Sequence, residues 1–329
     1  RAWLDMHQQL YGWQAKSRGI MARAFPDGNY ESWTQCRSLL AHANSVLQSI
    51  CDGDDEDRLN AATLLSNCGW FLDLQGVYEE AEVMHRRALG AREKVLGSEH
   101  PDTLISVSHL GLVLSSQGKY DEAEAMHRRA LEARENVLGR EQPDTLTSVN
   151  DLGNLLSSQG KYDVAEAIHR RALEGYEEVL GREHPATLTS VSNLGSVLSS
   201  QGKYDVAEAI HRRALEGYEE VLGREHPYTL TSVSNLGNVL SSQGKYDEAE
   251  AMHRRALEAR ENVLGREHPN TLTSVNNLGL VLSSQGKYDE AEAIHRRALE
   301  GYEEVLGREH PNTLTSVSNL GGVLFSQGK

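Results

Sequence analysis

Cysteine is scarce in this chain, with three in 329 residues. Cys36, Cys51 and Cys68 cluster towards one end, and an odd number does not make a disulfide framework. A reducing, cytoplasmic setting is therefore expected. Aromatic residues make up 6% of the chain and hydrophobic residues 39%, with a mean hydropathy of −0.52. That is too little apolar material for one thick core, and it suits a thin structure with much exposed surface. No apolar run approaches the roughly 18 residues of a membrane span. Residues Arg1 to Leu10 mix polar and aromatic groups, so a secretory leader is not expected there. Basic charge is also short: 33 Lys and Arg face 48 Asp and Glu, a net charge of −15. Nucleic acid needs a basic footprint, and an anionic membrane surface repels acid, so neither is an expected partner.

What the chain does have is a beat. Six of its seven prolines fall at Pro101, Pro143, Pro185, Pro227, Pro269 and Pro311, each 42 residues after the last. The run Leu194-Gly195, Leu198, Gln201-Gly202-Lys203-Tyr204, Ala207, His211-Arg212-Arg213-Ala214-Leu215 recurs almost unchanged in every unit. Residues 143–184 and 185–226 differ at only five positions. The repeats are 59–100, 101–142, 143–184, 185–226, 227–268 and 269–310, followed by a half repeat, 311–329. A chain that opens on Arg1 and stops in mid-motif at Lys329 reads as an excised piece.

Each unit encodes two amphipathic helices. Over 185–201, Leu188, Val191, Leu194 and Leu198 recur every three or four residues and form one apolar stripe. Pro185 suits the first helical turn, and Gly202 can adopt the left-handed conformation that ends the helix. A second helix is expected from Tyr204 to Leu222, with Tyr204, Ala207, His211, Ala214, Tyr218 and Leu222 on one face and Gly223 as its stop. Small residues at Gly195, Ala207 and Ala214 let the two helices approach closely.

The order Leu-Gly, a large apolar residue three further on, Gly-x-Tyr, then Ala207 and Ala214 resembles the tetratricopeptide pattern, with Leu194, Gly195, Leu198, Gly202, Tyr204, Ala207 and Ala214 on its signature columns. The eight residues beyond the usual 34 make the unit similar to kinesin light chain repeats. The near identity of the units resembles the repeat arrays at the C-termini of fungal NLR-like STAND ATPases. This resemblance implies an all-α fold, a right-handed α-solenoid superhelix of antiparallel helix pairs, over residues 59–329. Residues 1–58 differ. They hold Trp3, Trp13 and Trp33, a second-type helix over Tyr30 to Leu47 and an acidic link from Asp52 to Asp57. The strings Arg1-Ala2-Trp3-Leu4 and Phe25-Pro26-Asp27-Gly28-Asn29-Tyr30 are similar to the segment before the repeats in fungal STAND proteins. A degenerate shielding unit is expected here, since a solenoid otherwise leaves its first apolar face bare.

Features that suggest chemistry have plainer explanations. Gly195 and Gly202-Lys203 do not make a phosphate loop, because their spacing is wrong and Tyr204 stands where Ser or Thr would bind Mg²⁺. His85, His127, His169, His211, His253 and His295 form one core-facing column. Equivalent residues of successive repeats lie roughly 10 Å apart, too far to share a metal. His100, His184, His226, His268 and His310 precede prolines in turns. Glu208, Arg212 and Glu216 alternate four apart, as on a solvated helix face. No nucleophile elbow occurs. Neither enzymatic activity, nor a cofactor, nor a metal is expected.

Variation between units is concentrated. One column runs Trp70, Leu112, Asn154, Ser196, Asn238, Leu280, Gly322; another runs Ser66, Ser108, Asn150, Ser192, Ser234, Asn276, Ser318. Beside the latter lie Asn67, His109, Asp151, Asn193, Asn235, Asn277 and Asn319. Spacings of three and four put all three columns on one face of the first helix, which in tetratricopeptide proteins lines a concave groove. The implied partner is a protein or peptide. Asn can donate to and accept from its main chain, and Trp70, Leu112 and Leu280 are the expected anchors. Thr189 and its equivalents keep that wall uncharged, and the Lys of carboxylate-clamp members is absent. A second set varies in blocks, with Met126, Ala133, Arg134 and Asn136 set against Ile168, Gly175, Tyr176 and Glu178. The expected role is the ligand-sensing arm of a fungal NLR-like receptor. The alternatives are a kinesin-light-chain-like cargo adaptor, or a module that holds a switch closed or self-associates through its exposed C-terminal end.

Overall fold

The computed structural model describes residues 2–48 and 54–328. Arg1, Cys51, Asp52 and Lys329 fall outside the described residues, as do the side chains of residues 2–11, including that of Trp3. Among the described residues there are fifteen α-helices and one 3-10 turn, Tyr30–Ser32, and no strand. The N-terminal helices are α1 (Ala2–Ala24) and α2 (Trp33–Gln48). The repeats then contribute α3 (Asp55–Leu74), α4 (Tyr78–Leu96), α5 (Pro101–Ser116), α6 (Tyr120–Val137), α7 (Pro143–Ser158) and α8 (Tyr162–Leu180). They continue with α9 (Pro185–Ser200), α10 (Tyr204–Leu222), α11 (Pro227–Ser242), α12 (Tyr246–Leu264), α13 (Pro269–Ser284), α14 (Tyr288–Leu306) and α15 (Pro311–Ser326). The fold is an all-α helical-repeat solenoid.

Its helices start and stop where local chemistry dictates. In α9 the His184 Nδ1 accepts from the Ala186 N–H at 3.2 Å, capping the helix, and Pro185 occupies the first turn. The turn histidines His100, His226, His268 and His310 cap their helices in the same way. At the other end Gly202 takes φ +78°, and the Gly202 and Lys203 N–H groups close on Ser199 and Leu198 at 2.9 Å. The Thr187 hydroxyl then donates to the Gly181 carbonyl at 2.8 Å, tying α9 to the stop of α8, and Thr229, Thr271 and Thr313 do the same for α11, α13 and α15.

Residues 1–155 and 156–329 form two compact units. In the first, α1 and α2 pack on α3, which pairs with α4. Arg18 of α1, 1% exposed, grips Asp57 of α3 through Nε (2.7 Å) and Nη2 (2.5 Å). The expected acidic link is largely helical: Asp54 caps α3, and Asp55, Glu56 and Asp57 fill its first turn, where carboxylates favour the helix dipole. Cys36 and Cys68 are buried and free, and burial pushes the Cys68 thiol up to about 12. In the second unit α9 pairs with α10, α11 with α12 and α13 with α14. Each pair closes a small core, such as Leu257, Val275, Leu278, Leu282, Ala291, Ala298 and Val323. On α15, Leu320 and Val323 are buried while Leu314, Val317 and Phe325 are exposed.

The expected histidine column lies inside. His85, His127, His169, His211, His253 and His295 are all at most 2% exposed. His85, His127, His211, His253 and His295 each sit on the first-helix glycine of their own repeat. A methyl placed on Gly195 would stand 2.8 Å from His211 Nε2.

Candidate functional site

The first helix of each repeat presents three of its lines to solvent. In the second unit Thr189, Thr231 and Thr273 are exposed, Asn193, Asn235 and Asn277 half-buried, and Ser196, Asn238 and Leu280 exposed. This face is neutral, with amide and hydroxyl groups able to bond a main chain in both senses. Leu280, 45% exposed, is the large apolar group on it. In the first unit the corresponding places hold Asn67, Trp70, His109 and Leu112, all half-buried, then Asp151 and the exposed Asn154.

The remaining varying column is not on that face. Ser66, Ser108, Asn150, Ser234 and Asn276 are 5–9% exposed, and Ser192 is half-buried. Asn150 and Asn276 therefore belong to a layer beneath the candidate groove, and Ser192 lies at its edge. Asn276 illustrates it: its Oδ1 accepts from Asn319 Nδ2 at 3.2 Å and, with the ring protonated on Nδ1, from His295 at 2.9 Å. At Asn276 the next repeat's helix supplies this cover, a contact that arrives from 43 residues away and leaves no trace in helical spacing.

Trp70 is similarly less free than expected. Its Cδ1 lies where a side chain on Gly28 would meet it at 2.9 Å, and its ring lies 5.5 Å from that of His109. Asn67 donates to the Phe25 carbonyl at 3.4 Å. The N-terminal segment thus packs on this face of the first repeat, and Leu112 is the large apolar group left half-buried there in the first unit. His109 also stands 5.6 Å from His85. Burial, then Arg92 and Arg134, push the His109 ring below its usual range. Burial pushes Asp151 up to about 6, with Arg134 opposing.

The block-wise variation has a structural cause. The second helix sends one side chain up to the first-helix layer: Arg92, Arg134 and Arg260 in some units, Tyr176, Tyr218 and Tyr302 in others. Arg260, 6% exposed, donates to Ser234 (3.3 Å), Ser274 (2.6 Å), Thr231 (3.2 Å) and the Asn270 carbonyl (3.3 Å). It therefore bridges α11 and α13. Tyr218 instead meets Thr189 at 2.7 Å and donates to the Pro185 carbonyl at 3.3 Å. The residue before the tyrosine is glycine because a methyl on Gly217 would stand 2.6 Å from Leu188 Cδ2.

One varying column escaped the sequence reasoning. Asp102, Asp144, Ala186, Tyr228, Asn270 and Asn312 follow the repeat prolines at the rim of this face. Tyr228, 55% exposed, stacks on Tyr218 at 6.0 Å. Position 144 against 186 is one of the five differences between adjacent units, so comparison within the chain could have found it.

The opposite face is tied rather than simply solvated. Arg212 pairs with Glu208 at 2.7 Å, as its spacing predicts. Glu208 also takes Lys245 of the next repeat at 2.8 Å, and Arg213 reaches back to Glu177 of the previous one. The Lys245 and Arg212 bonds hold Glu208 down at about 2. No cluster of three metal-ligating side chains occurs among the described residues, and no described helix is long and apolar enough to cross a membrane.

Comparison with known proteins agrees with this architecture. A Hyaloscypha variabilis nucleotide-binding leucine-rich repeat (NLR)-like protein is 38% identical over 108 residues, which is 33% of this chain and 11% of that protein. The chain thus spans only a small part of that relative. The Podosopora anserina structure of nearly identical TPR-like repeats covers 63% of this chain and 98% of its own, at TM-score 0.51 and 22% identity. BtubC (BKLC) from P. vanneervenii covers 73% and 94%, at TM-score 0.53 and 26% identity. The tetratricopeptide repeat profile matches six overlapping stretches, 61–136, 102–178, 144–220, 187–262, 228–304 and 270–329. Since these matches span most of the molecule, the chain belongs to the tetratricopeptide repeat family.

Proposed function

We propose that this chain is a protein- or peptide-binding scaffold without chemistry of its own, the ligand-sensing repeat arm of a fungal NLR-like STAND receptor. The observation that carries the binding reading is the neutral face of Asn193, Asn235 and Asn277, half-buried and flanked by the exposed Ser196, Asn238 and Leu280. These amides suit an extended partner's main chain, and Leu280 and Leu112 supply apolar anchors. Few residues carry most of the energy of such an interface. The receptor reading is supported by the stretch of 38% identity to the NLR-like protein. The alternative, a cargo adaptor, is supported by likeness to the kinesin-light-chain type of repeat.

Two experiments test this. Partner capture from the source cell should be lost with Leu112→Ala and Leu280→Ala and kept with Arg212→Ala. The reverse pattern would place binding on the opposite face. The gene upstream of the codon for Arg1 separates the two roles. A nucleotide-binding module supports the receptor, and a coiled coil supports the adaptor.

A further inference from the structure

Six imidazoles buried at the same place in successive repeats are more than core filler. A histidine ring buried against a glycine on the facing helix leaves no room for a counter-ion. His211 is 1% exposed, and its Cε1, Nε2 and Cδ2 lie at 2.8–3.0 Å from where a Gly195 methyl would be. The same seat recurs at Gly69–His85, Gly111–His127, Gly237–His253 and Gly279–His295. In His85 and His253 neither ring nitrogen has a hydrogen-bond partner. These rings are held neutral by lack of solvation.

Little around them helps a positive charge, apart from the Gly279 backbone hydrogen bond at His295. Arg92, Arg134 and Arg260 stand seven residues on along the same helices, close enough to oppose protonation of His85, His127 and His253. From the following first helix, His109 faces His85 at 5.6 Å. The positions equivalent to His109 hold Asp151, then the neutral Asn193, Asn235, Asn277 and Asn319. Asp151 is the one carboxylate in that row, and burial already pushes it up to about 6. Asn276, bonded to His295, is neutral as well.

We propose that the histidine column is an acid-sensitive release built into the repeat, through which mild acidification loosens the paired helices of all units together. Protonation requires a ring to leave its glycine seat, so each proton taken up opens one helix pair. The layer involved lies directly beneath the candidate groove, where Asn276 links His295 to Asn319. The local titration agrees in direction. Burial lowers His85 from 6.5 to about 3 and His127, His169, His211 and His253 to about 4. The unfolded chain therefore binds more protons below pH 6.5, and stability falls as pH drops from 6.5 towards 4. Because the units are nearly identical, they respond over the same pH range.

The test is proton uptake on unfolding by guanidinium at pH 5.5, measured by pH-stat on the 329-residue chain. The comparison is with His169→Leu/His211→Leu/His253→Leu. Each neutral buried ring contributes about 0.9 proton at that pH, so the triple variant should take up about three fewer. Its urea midpoint should also fall by only about half as much as the parent's between pH 7.5 and 5.0. Equal proton uptake by the two proteins overturns the proposal. If the variant does not fold, NMR of the parent decides. The six ring C–H signals should stay unshifted from pH 7.5 to 5.5 while the protein remains folded. Titration of those rings in the folded protein above pH 6 overturns the proposal too.

Discussion

Alanine in place of Gly195 should destabilise the protein, although by helix propensity alone it should do the opposite. Gly195 lies inside α9, where Gly→Ala ordinarily gains about 1 kcal/mol. The new methyl, however, meets three atoms of the His211 ring at 2.8–3.0 Å. That ring is 1% exposed and cannot swing aside without parting α9 from α10. Overpacking of this kind costs about 1–3 kcal/mol, and a closed seat belongs at the upper end, for a net loss of about 1–2 kcal/mol. Gly90 supplies the control. It also lies within a helix, α4, but a methyl there meets nothing within 4 Å. Gly90→Ala should therefore stabilise by about 0.5–1 kcal/mol. Urea unfolding followed by helical circular dichroism reads both. Adding His211→Ala to Gly195→Ala should remove the penalty of the methyl, a coupling of about 2–3 kcal/mol in a double-mutant cycle. An unchanged or raised midpoint for Gly195→Ala would refute the argument that the histidine seat sets helix spacing.

Arg18→Ala leaves Asp57 buried without its partner and should cost about 3–5 kcal/mol, seen as rapid proteolysis of α1 while α9 to α14 stay protected. His184→Ala removes the cap of α9 and should cost about 1 kcal/mol, measured as a lower urea midpoint. Glu166, Glu208 and Glu250 are held at about 2, chiefly by the following repeat's Lys203, Lys245 and Lys287, against an ordinary 4.5. Their stabilisation is present above pH 4.5 and is lost as pH falls towards 2. Stability measured against pH should thus show a second decline below the histidine range, and 1 M salt should shrink it. Leu280→Ala should weaken partner binding by about 1–3 kcal/mol in calorimetry, with little change in thermal midpoint because the side chain is 45% exposed.

Most of the fold was legible in the sequence for a physical reason: its signals are local. Pro185 and Gly202 bound α9, Tyr204 and Gly223 bound α10, and the 42-residue beat repeats those bounds unchanged. The histidine column could be placed in the core from helical spacing alone. The candidate site was only half legible. Neighbouring residues on a helix point about 100° apart, so Ser66 and Asn67, or Asn276 and Asn277, straddle the edge of one face. Which of the two sees solvent depends on where the next repeat's helix lies, and that is a tertiary fact. The same holds for Trp70, covered by the Gly28 turn, and for Arg213, paired with Glu177 across a repeat boundary. Arg260 and Tyr218 mark only a block-wise alternation in the sequence; packing alone reveals that one bridges two helices and the other, behind Gly217, reaches back to its own. Sequence by itself determined the helices, their order and their buried stripe, because those follow from backbone chemistry within about 20 residues. Tertiary structure alone decided which polar column faces solvent and which is a buried layer, because that boundary is drawn by side chains of the next repeat.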